Sequence, residues 1–373
     1  MRRNVLLPYL VSLVLTGGVS HTALMAQTDN TFNWNTLRDV RLDRNWLNSE
    51  NPAGLHAFGQ GTESEIVLYG KGGYGGLKDY FLSKNETAFG VEASSMARPS
   101  RRVVVGGQVG YRNVSAKDIA GSYFIDPTQT PFDLVEFTDA NAGDKTLEKF
   151  SLQGGVGVNL ARWVSLGASL DYKAANYSKR KDLRHVNSLM DMDLVLGGLF
   201  HAGERVDIGL NYVYRRRNET LLLSTYGTQD KTFVSLLNYG AFFGKQEIFG
   251  EIGYTKENEN KPLFDARHGA TLQVAWRIGN AEWFNEAGFH TRSGYYGDPS
   301  YSTVVYSTHR GHGFFYQGLL TFATGSDAHR FGLRYGQEHV ANTENIYSYK
   351  NEETGRDYIE YLGEREVGER TQR

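Results

Sequence analysis

None of the ten histidines has a serine two residues further on. A strand-borne hydrolase needs that spacing, because residues two apart share one face and let base and nucleophile meet. The nearest approach is His290-Thr291-Arg292-Ser293, whose offset of three sends the two side chains to opposite faces. His309 and His312 flank Arg310 and Gly311 closely enough to touch a metal, yet no third ligand stands near them in sequence. Asp191 and Asp193 sit two apart, on the face that hairpin pairing brings near Asp171. Such carboxylates hold Ca²⁺ in some proteins, and more often pair with a neighbour such as Lys173. Gly-x-Ser-x-Gly, His-Glu-x-x-His and a phosphate-cradling Gly-Lys-Ser/Thr loop are all missing, and so is cysteine. The expectation is a protein that is not an enzyme and that carries no metal or cofactor.

What remains is a set of charges at regular places: Asp171, Lys173, Asp191, Asp193, Asp207, Arg215, Glu247, Glu251, Arg277, Glu286, Arg330 and Arg334. Most fall in stretches that alternate with period two. Leu166, Ala168, Leu170 and Tyr172 interleave with Gly167, Ser169, Asp171 and Lys173. Ile208, Leu210, Tyr212 and Tyr214 interleave with Asp207, Gly209, Asn211 and Arg215 across the same span. Successive side chains of a strand point to opposite faces, so each stretch has an apolar and a polar face. Fourteen such strands are expected, beginning near Glu65, Ala88, Arg102, Phe150, Val164, Met190, Val206, Phe233, Glu247, Ala270, Glu282, Phe314, Arg330 and Arg356.

Their connections alternate in length. Short ones lie at 98–101, 160–162, 202–203, 244–245, 279–280 and 325–326. Long polar ones lie at 72–85, 115–146, 176–188, 218–232, 257–265, 293–310 and 342–354. Hairpins in this rhythm gather tight turns at one end and long loops at the other. That is the layout of a transmembrane antiparallel up-and-down β-barrel, all-β, of about 14 strands. On this architecture the polar face looks inward, because a charge facing lipid near the midplane costs ~2–4 kcal/mol. The twelve charges are therefore candidate lumen residues, lining a conduit or tying strands to each other. Trp163, Tyr172, Tyr212, Tyr214, Trp276, Trp283 and Phe322 near strand ends suit the membrane–water boundary.

Composition agrees. The chain has 373 residues, 43 Gly, 7 Pro and a formal charge of −2. Near-neutrality without a basic block excludes nucleic acid as a partner. A mean hydropathy of −0.46 excludes a bundle of membrane helices.

Residues 1–26 read as a signal peptide: Arg2 and Arg3, an apolar stretch from Val5 to Val19, then Ala23 to Ala26. Residues 27–61 are polar but carry Phe32, Trp34, Trp46 and Leu47, which predicts a packed periplasmic segment or lumen plug. Residues 62–373 would form the barrel. The ending Glu369-Arg370-Thr371-Gln372-Arg373 lacks the aromatic last residue that barrel-insertion machinery reads, which predicts a partial chain.

The string Asn51-Pro52-Ala53-Gly54-Leu55 resembles the N-terminal motif of fatty-acid-transporter-type outer-membrane barrels. With Ser293-Gly294-Tyr295-Tyr296-Gly297 and Tyr361-Leu362-Gly363-Glu364-Arg365-Glu366-Val367-Gly368, it makes the chain similar to an uncharacterised family of outer-membrane barrels of Gram-negative anaerobes. The resemblance implies an outer-membrane location, contact with lipid and with insertion machinery, and a small solute as cargo, hydrophobic solutes among the candidates. Asn51 to Leu55 would then enter or cap the barrel. The alternative expectation is a surface scaffold that binds a partner through its long loops, above all 115–146 with Tyr123, Phe124, Phe132 and Phe137.

Overall fold

The computed structural model describes residues 11–14, 44–59, 61–76, 79–136, 141–226, 231–300, 303–325, 327–351 and 357–373. Apart from Val11–Val14, the expected signal peptide lies outside the described residues, as do 27–43 and Phe137. In chain order the strands are β1 (Val11–Val14), β2 (Thr62–Tyr74), β3 (Asn85–Ala97), β4 (Val103–Ile119), β5 (Gly121–Ser122), β6 (Asp133–Glu136), β7 (Gly143–Ala161), β8 (Val164–Lys179) and β9 (Arg184–Ala202). There follow β10 (Val206–Ser224), β11 (Val234–Gly240), β12 (Phe243–Ile248), β13 (Lys261–Ile278), β14 (Ala281–Gly297), β15 (Val305–Thr324), β16 (Asp327–Asn351) and β17 (Asp357–Gln372). Two short 3-10 helices, Asn45–Asn48 and Pro52–Ala57, precede β2. No helix among the described residues is long and apolar enough to cross a membrane.

The strands form an antiparallel up-and-down sheet, in the order β1-β2-β3-β4-β7-β8-β9-β10-β13-β14-β15-β16-β17. Twelve of its members, β2 onward, are the long hairpins expected from the alternation. Among the described residues no pairing joins β2 to β17, so the sheet is open between them. The remaining four, β12-β11-β6-β5, make a separate small sheet.

The strands expected near Phe233 and Glu247 therefore do not belong to the main wall. The first is β11, seven residues long, and the second overlaps only the end of β12, six residues long, and stops at Ile248. Both lengths are short of the ~9–11 residues a tilted strand needs to cross lipid. Their expected turn at 244–245 lies instead at Ala241 and Phe242, both at positive φ. β11 pairs with β6 from the 115–146 connection, so two long loops are joined edge to edge. One face of this small sheet is dry: Phe132, Leu134, Phe233, Leu237 and Tyr239 pack with Tyr123, Phe124 and Tyr254. The wall supplies Leu221, Leu223, Leu263, Tyr296 and Tyr306 to the same cluster, and the β8–β9 connection supplies Leu183.

The outward faces match the sequence reading, with one refinement. On β7 the outward residues Phe150, Leu152 and Leu160 are exposed, and Asp144 and Thr146 continue that face beyond them. On β10 Ile208, Leu210 and Tyr212 are exposed and Arg216 follows. On β15 Leu320 and Phe314 give way to His312 and Arg310. The apolar band thus begins at the short turns, where Trp163, Trp276 and Trp283 sit, and runs for about one bilayer-crossing length. The strands continue past it as a polar-faced collar that encloses the small sheet.

Candidate functional site

The residues around the short helices explain where the chain's interior begins. Asn51 caps Pro52–Ala57, its Oδ1 accepting from the Ala53 N–H at 3.0 Å. Its Nδ2 donates to the Gly198 carbonyl at 2.9 Å and to Gln273 Oε1 at 3.1 Å. The Glu50 N–H donates to Glu286 at 3.0 Å, and Asn45 donates to Glu282 at 2.7 Å. Arg98 from the first short turn donates to the carbonyls of Phe58 and Gly59 at 2.6 and 2.9 Å. Trp46 packs edge-on to Phe284 at 5.2 Å, in a cluster with Ala53, Leu199 and Ala275. The segment therefore sits inside the curve of the sheet at its short-turn end.

Glycine makes that seat. Gly157, Gly167 and Gly197 are register partners across β7, β8 and β9. A Cβ on Gly167 or Gly197 would collide with Pro52 and Ala53, or with Asn51. On β10 a Cβ at Gly209 would lie 2.6 Å from Gln273 Oε1 and 2.8 Å from Asn51 Nδ2. Only a missing side chain lets the backbone of 51–53 approach so closely.

Above this seat, toward the small sheet, lies a cavity of about 310 Å³. One row of its wall runs across five strands in register: Gln108, Gln153, Asp171, Asp193, Arg215. The row below is smaller and less polar, with Gly106, Gly155, Ser169, Val195 and Val213. The N-terminal segment contributes Trp46, Leu47, Glu50 and Leu55. A cleft of this size, mostly apolar with a few aimed polar groups, is the usual form of a small-molecule site.

Asp171 accepts from Lys173 Nζ at 2.9 Å and from Gln153 Nε2 at 2.9 Å, both through Oδ2. Its Oδ1 is buried with no hydrogen-bond partner. Asp193 clasps Arg215 with both oxygens. Asp191 lies 3.9 Å from Arg217, which also reaches Glu219 at 3.0 Å. Glu50 lines the cavity and is open to it; the Thr271 hydroxyl donates to it at 3.1 Å. Burial pushes its carboxyl upward, against the pull of Thr271 and of the Arg215 charge. Burial also holds the imidazole of His56, in the same segment, below its usual value.

The other expected sites divide. Asp207 pairs with Arg277 at 2.6 Å and with His201 at 2.7 Å near the short turns, and Glu286 holds the N-terminal segment. Arg334 is exposed on β16 and donates to Gln317 at 2.8 Å; Arg330 is exposed on the same strand. Glu247 and Glu251 are not on the wall. Glu247 lies on β12 and accepts from the Thr255 N–H and hydroxyl, and Glu251 is exposed in the following loop. Both fall in the stretch that the small sheet claims, which is why their alternation does not place them on the wall. His309 is buried against Asp265 at 2.9 Å, whereas His312 is on the exposed face, so the two do not converge. Among the described residues no cluster of three His, Asp or Glu could hold a metal ion.

Two polar groups escaped the sequence reading. Asp265 accepts from Arg292 at 2.6 Å, His309 at 2.9 Å and Arg267 at 3.1 Å, and Arg292 and Arg267 are also close to Glu338. Arg292 further donates to the Gln129 carbonyl at 2.6 Å, tying the 115–146 loop to the wall. Lys179 meets Glu136 of β6 at 2.6 Å with both side chains buried. The wall members were visible as alternating charges; Glu136 lies in a loop with no periodic signal.

A family model described as a family of unknown function, DUF6850, matches residues 52–371. No curated protein sequence matches the chain. Among solved structures the chain is similar to a TodX deltaS2S3 mutant monoaromatic hydrocarbon channel, at 10% identity and TM-score 0.34, covering 87% of this chain and 93% of that one. It is similar to a Pseudomonas aeruginosa FadL homologue at 9% identity and TM-score 0.32, covering 86% and 90%. It is also similar to the ferric citrate transporter FecA at 10% identity and TM-score 0.36, covering 84% of this chain and 53% of that one.

Proposed function

The chain belongs to the family of unknown function DUF6850, and from that premise we propose that it is an outer-membrane β-barrel that carries or holds a small solute in an interior chamber. The observation that carries this is the polar-and-apolar cavity of about 310 Å³ between the N-terminal segment and the wall strands. Below it the Asn51–Leu55 segment acts as a plug seated on glycines; above it the small sheet acts as a lid. Outside, exposed Phe150, Leu152, Leu194, Leu196, Leu210 and Leu272 present the band that lipid would cover. Buried in lipid, such a face is stabilised; left in water, so large an apolar surface would aggregate.

The test is conductance of the full chain in planar bilayers. The intact protein passes little current, since both ends are filled. Deleting residues 45–58 or the hairpin 234–248 raises conductance, and deleting both raises it further. A protein that stays in solution without detergent, or whose conductance ignores both deletions, rejects the reading.

A surface-binding role has one observation in its favour, though not the expected one. Tyr123, Phe124 and Phe132 of the 115–146 loop are buried in the lid core and offer nothing to a partner. Exposed instead are Phe242, Phe243, Ile248 and Ile252 at the β11–β12 hairpin. Phe242→Ser with Phe243→Ser would abolish capture of a surface partner and leave bilayer conductance unchanged; unchanged capture excludes the hairpin.

A further inference from the structure

We propose that the chamber takes a small organic cation, a protonated amine or guanidine on a flat apolar body. The inference deepens the solute-carrying reading and rests on it. Three carboxylates, Glu50, Asp171 and Asp193, line the cavity, against one guanidinium, Arg215. That guanidinium is already engaged, since Asp193 clasps it with both oxygens. Lys173 serves Asp171, but only through Oδ2. Glu50 forms no ion pair among the described residues, and its neutral partner is the Thr271 hydroxyl. Glu50 stands open to the cavity with no ion pair of its own, and an incoming cation would supply one.

One unpaired polar atom points the same way. Asp171 Oδ1 is a buried acceptor with no donor. Buried polar atoms in native proteins nearly always have partners, so a donor from a ligand or water is implied there. The Gln108 amide on the same row makes no hydrogen bond within the described residues. The lower row suits the rest of the solute. Gly106 and Gly155 are register partners without side chains, and Leu47, Leu55, Val195 and Val213 surround them. A flat apolar body would pack against Leu47, Leu55, Val195 and Val213 with its charged nitrogen toward Glu50 and Asp171. An anion would meet two carboxylates with no free guanidinium, and a neutral isostere would gain no charge pairing with Glu50.

Calorimetric titration of the detergent-purified full chain with three isosteric probes decides the matter: 2-phenylethylamine, 2-phenylethanol and 3-phenylpropanoate. The amine binds about tenfold or more tighter than the alcohol, and the carboxylate binds weakest. Glu50→Gln and Asp171→Asn each bring the amine near the alcohol's affinity, while the alcohol's own affinity stays constant and reports an intact chamber. Equal affinity for all three probes, tightest binding of the carboxylate, no binding of any, or an amine affinity that both variants leave untouched overturns the proposal. If that happens while conductance still rises on deleting 45–58, the solute class is wrong and the carrier reading stands. If conductance is also indifferent to the deletions, the carrier reading fails as well.

Discussion

Asp133 shows how much one residue in the lid depends on its surroundings. It is buried, and desolvation pushes its carboxyl from 3.8 up to about 7, although Ser122 and Tyr80 both donate to it. In the unfolded lid it ionises near 3.8. Its folded-state value is raised, so its contribution to lid stability is greatest at low pH, falls as pH rises from about 4 to 7, and is level above that. The total is roughly 4 kcal/mol for a shift of this size. Hydrogen exchange of β6 should therefore quicken across that window, and Asp133→Asn should flatten the profile; an unchanged slope in the variant would assign the pH dependence to another group. At the other end of the chamber, Gly197→Ala places a carbon where Asn51 Oδ1 now sits. Overpacking of this kind costs about 1–3 kcal/mol, and here it falls on the seating of the N-terminal segment. Protease should then cut within 45–58 in the variant and not in the parent, with β-sheet content unchanged. The spacing of Asp171, Asp193 and Arg215 was readable because strands alternate. Hairpin pairing also placed Asp193 near Asp171; that Arg215 clasps Asp193 was not readable, because it depends on the exact register of β9 and β10.

Strands supply the second scale. Leu196 is 52% exposed on the outer face of β9, inside the apolar band, and Thr146 is exposed on β7 beyond it. In lipid vesicles Leu196→Lys should cost ~2–4 kcal/mol by urea titration, and Thr146→Lys close to nothing. Equal costs would mean the band is not where lipid lies. The lid sheet is held differently, by aromatic packing: Phe132 is fully buried, with its ring 5.4 Å from Tyr296 and 5.9 Å from Tyr254. Phe132→Ala should cost about 3–5 kcal/mol, seen as faster hydrogen exchange in β6 and β11 while β8 and β9 stay protected. The period-two pattern from Phe233 was legible as strand, whereas Gly244 and Lys245, read as a turn, lie inside β12, and the strand expected from Glu247 stops at Ile248. The sheet to which the first strand belongs was not legible, since a strand that covers a lid core alternates just as one that faces lipid does.

At the scale of the molecule, each end of the sheet is filled by a different kind of contact. The plug end rests on glycine seating and hydrogen bonds such as Asn51 to Gly198 and Gln273. The lid end rests on a cluster of fifteen buried apolar and aromatic residues. Hydrogen-bonded contacts exchange with water more readily than a dry core does, because water replaces the lost bonds. Deleting 45–58 should accordingly leave the lid's protection from exchange intact, whereas deleting 234–248 should expose the 121–136 loop to protease. Loss of lid protection in the first variant would show that the two closures are coupled. The amino-acid sequence by itself determined the all-β up-and-down architecture, the apolar outward faces and the charges on the opposite faces, because alternation and connection length are local properties of the chain. Only the tertiary structure decided that two long loops fold inward as a lid, that Asn51 to Ala53 seat on Gly167 and Gly197, and that Glu50 shares a cavity with Asp171, Asp193 and Arg215, because each is a contact between segments far apart in sequence, and no local pattern encodes such distances.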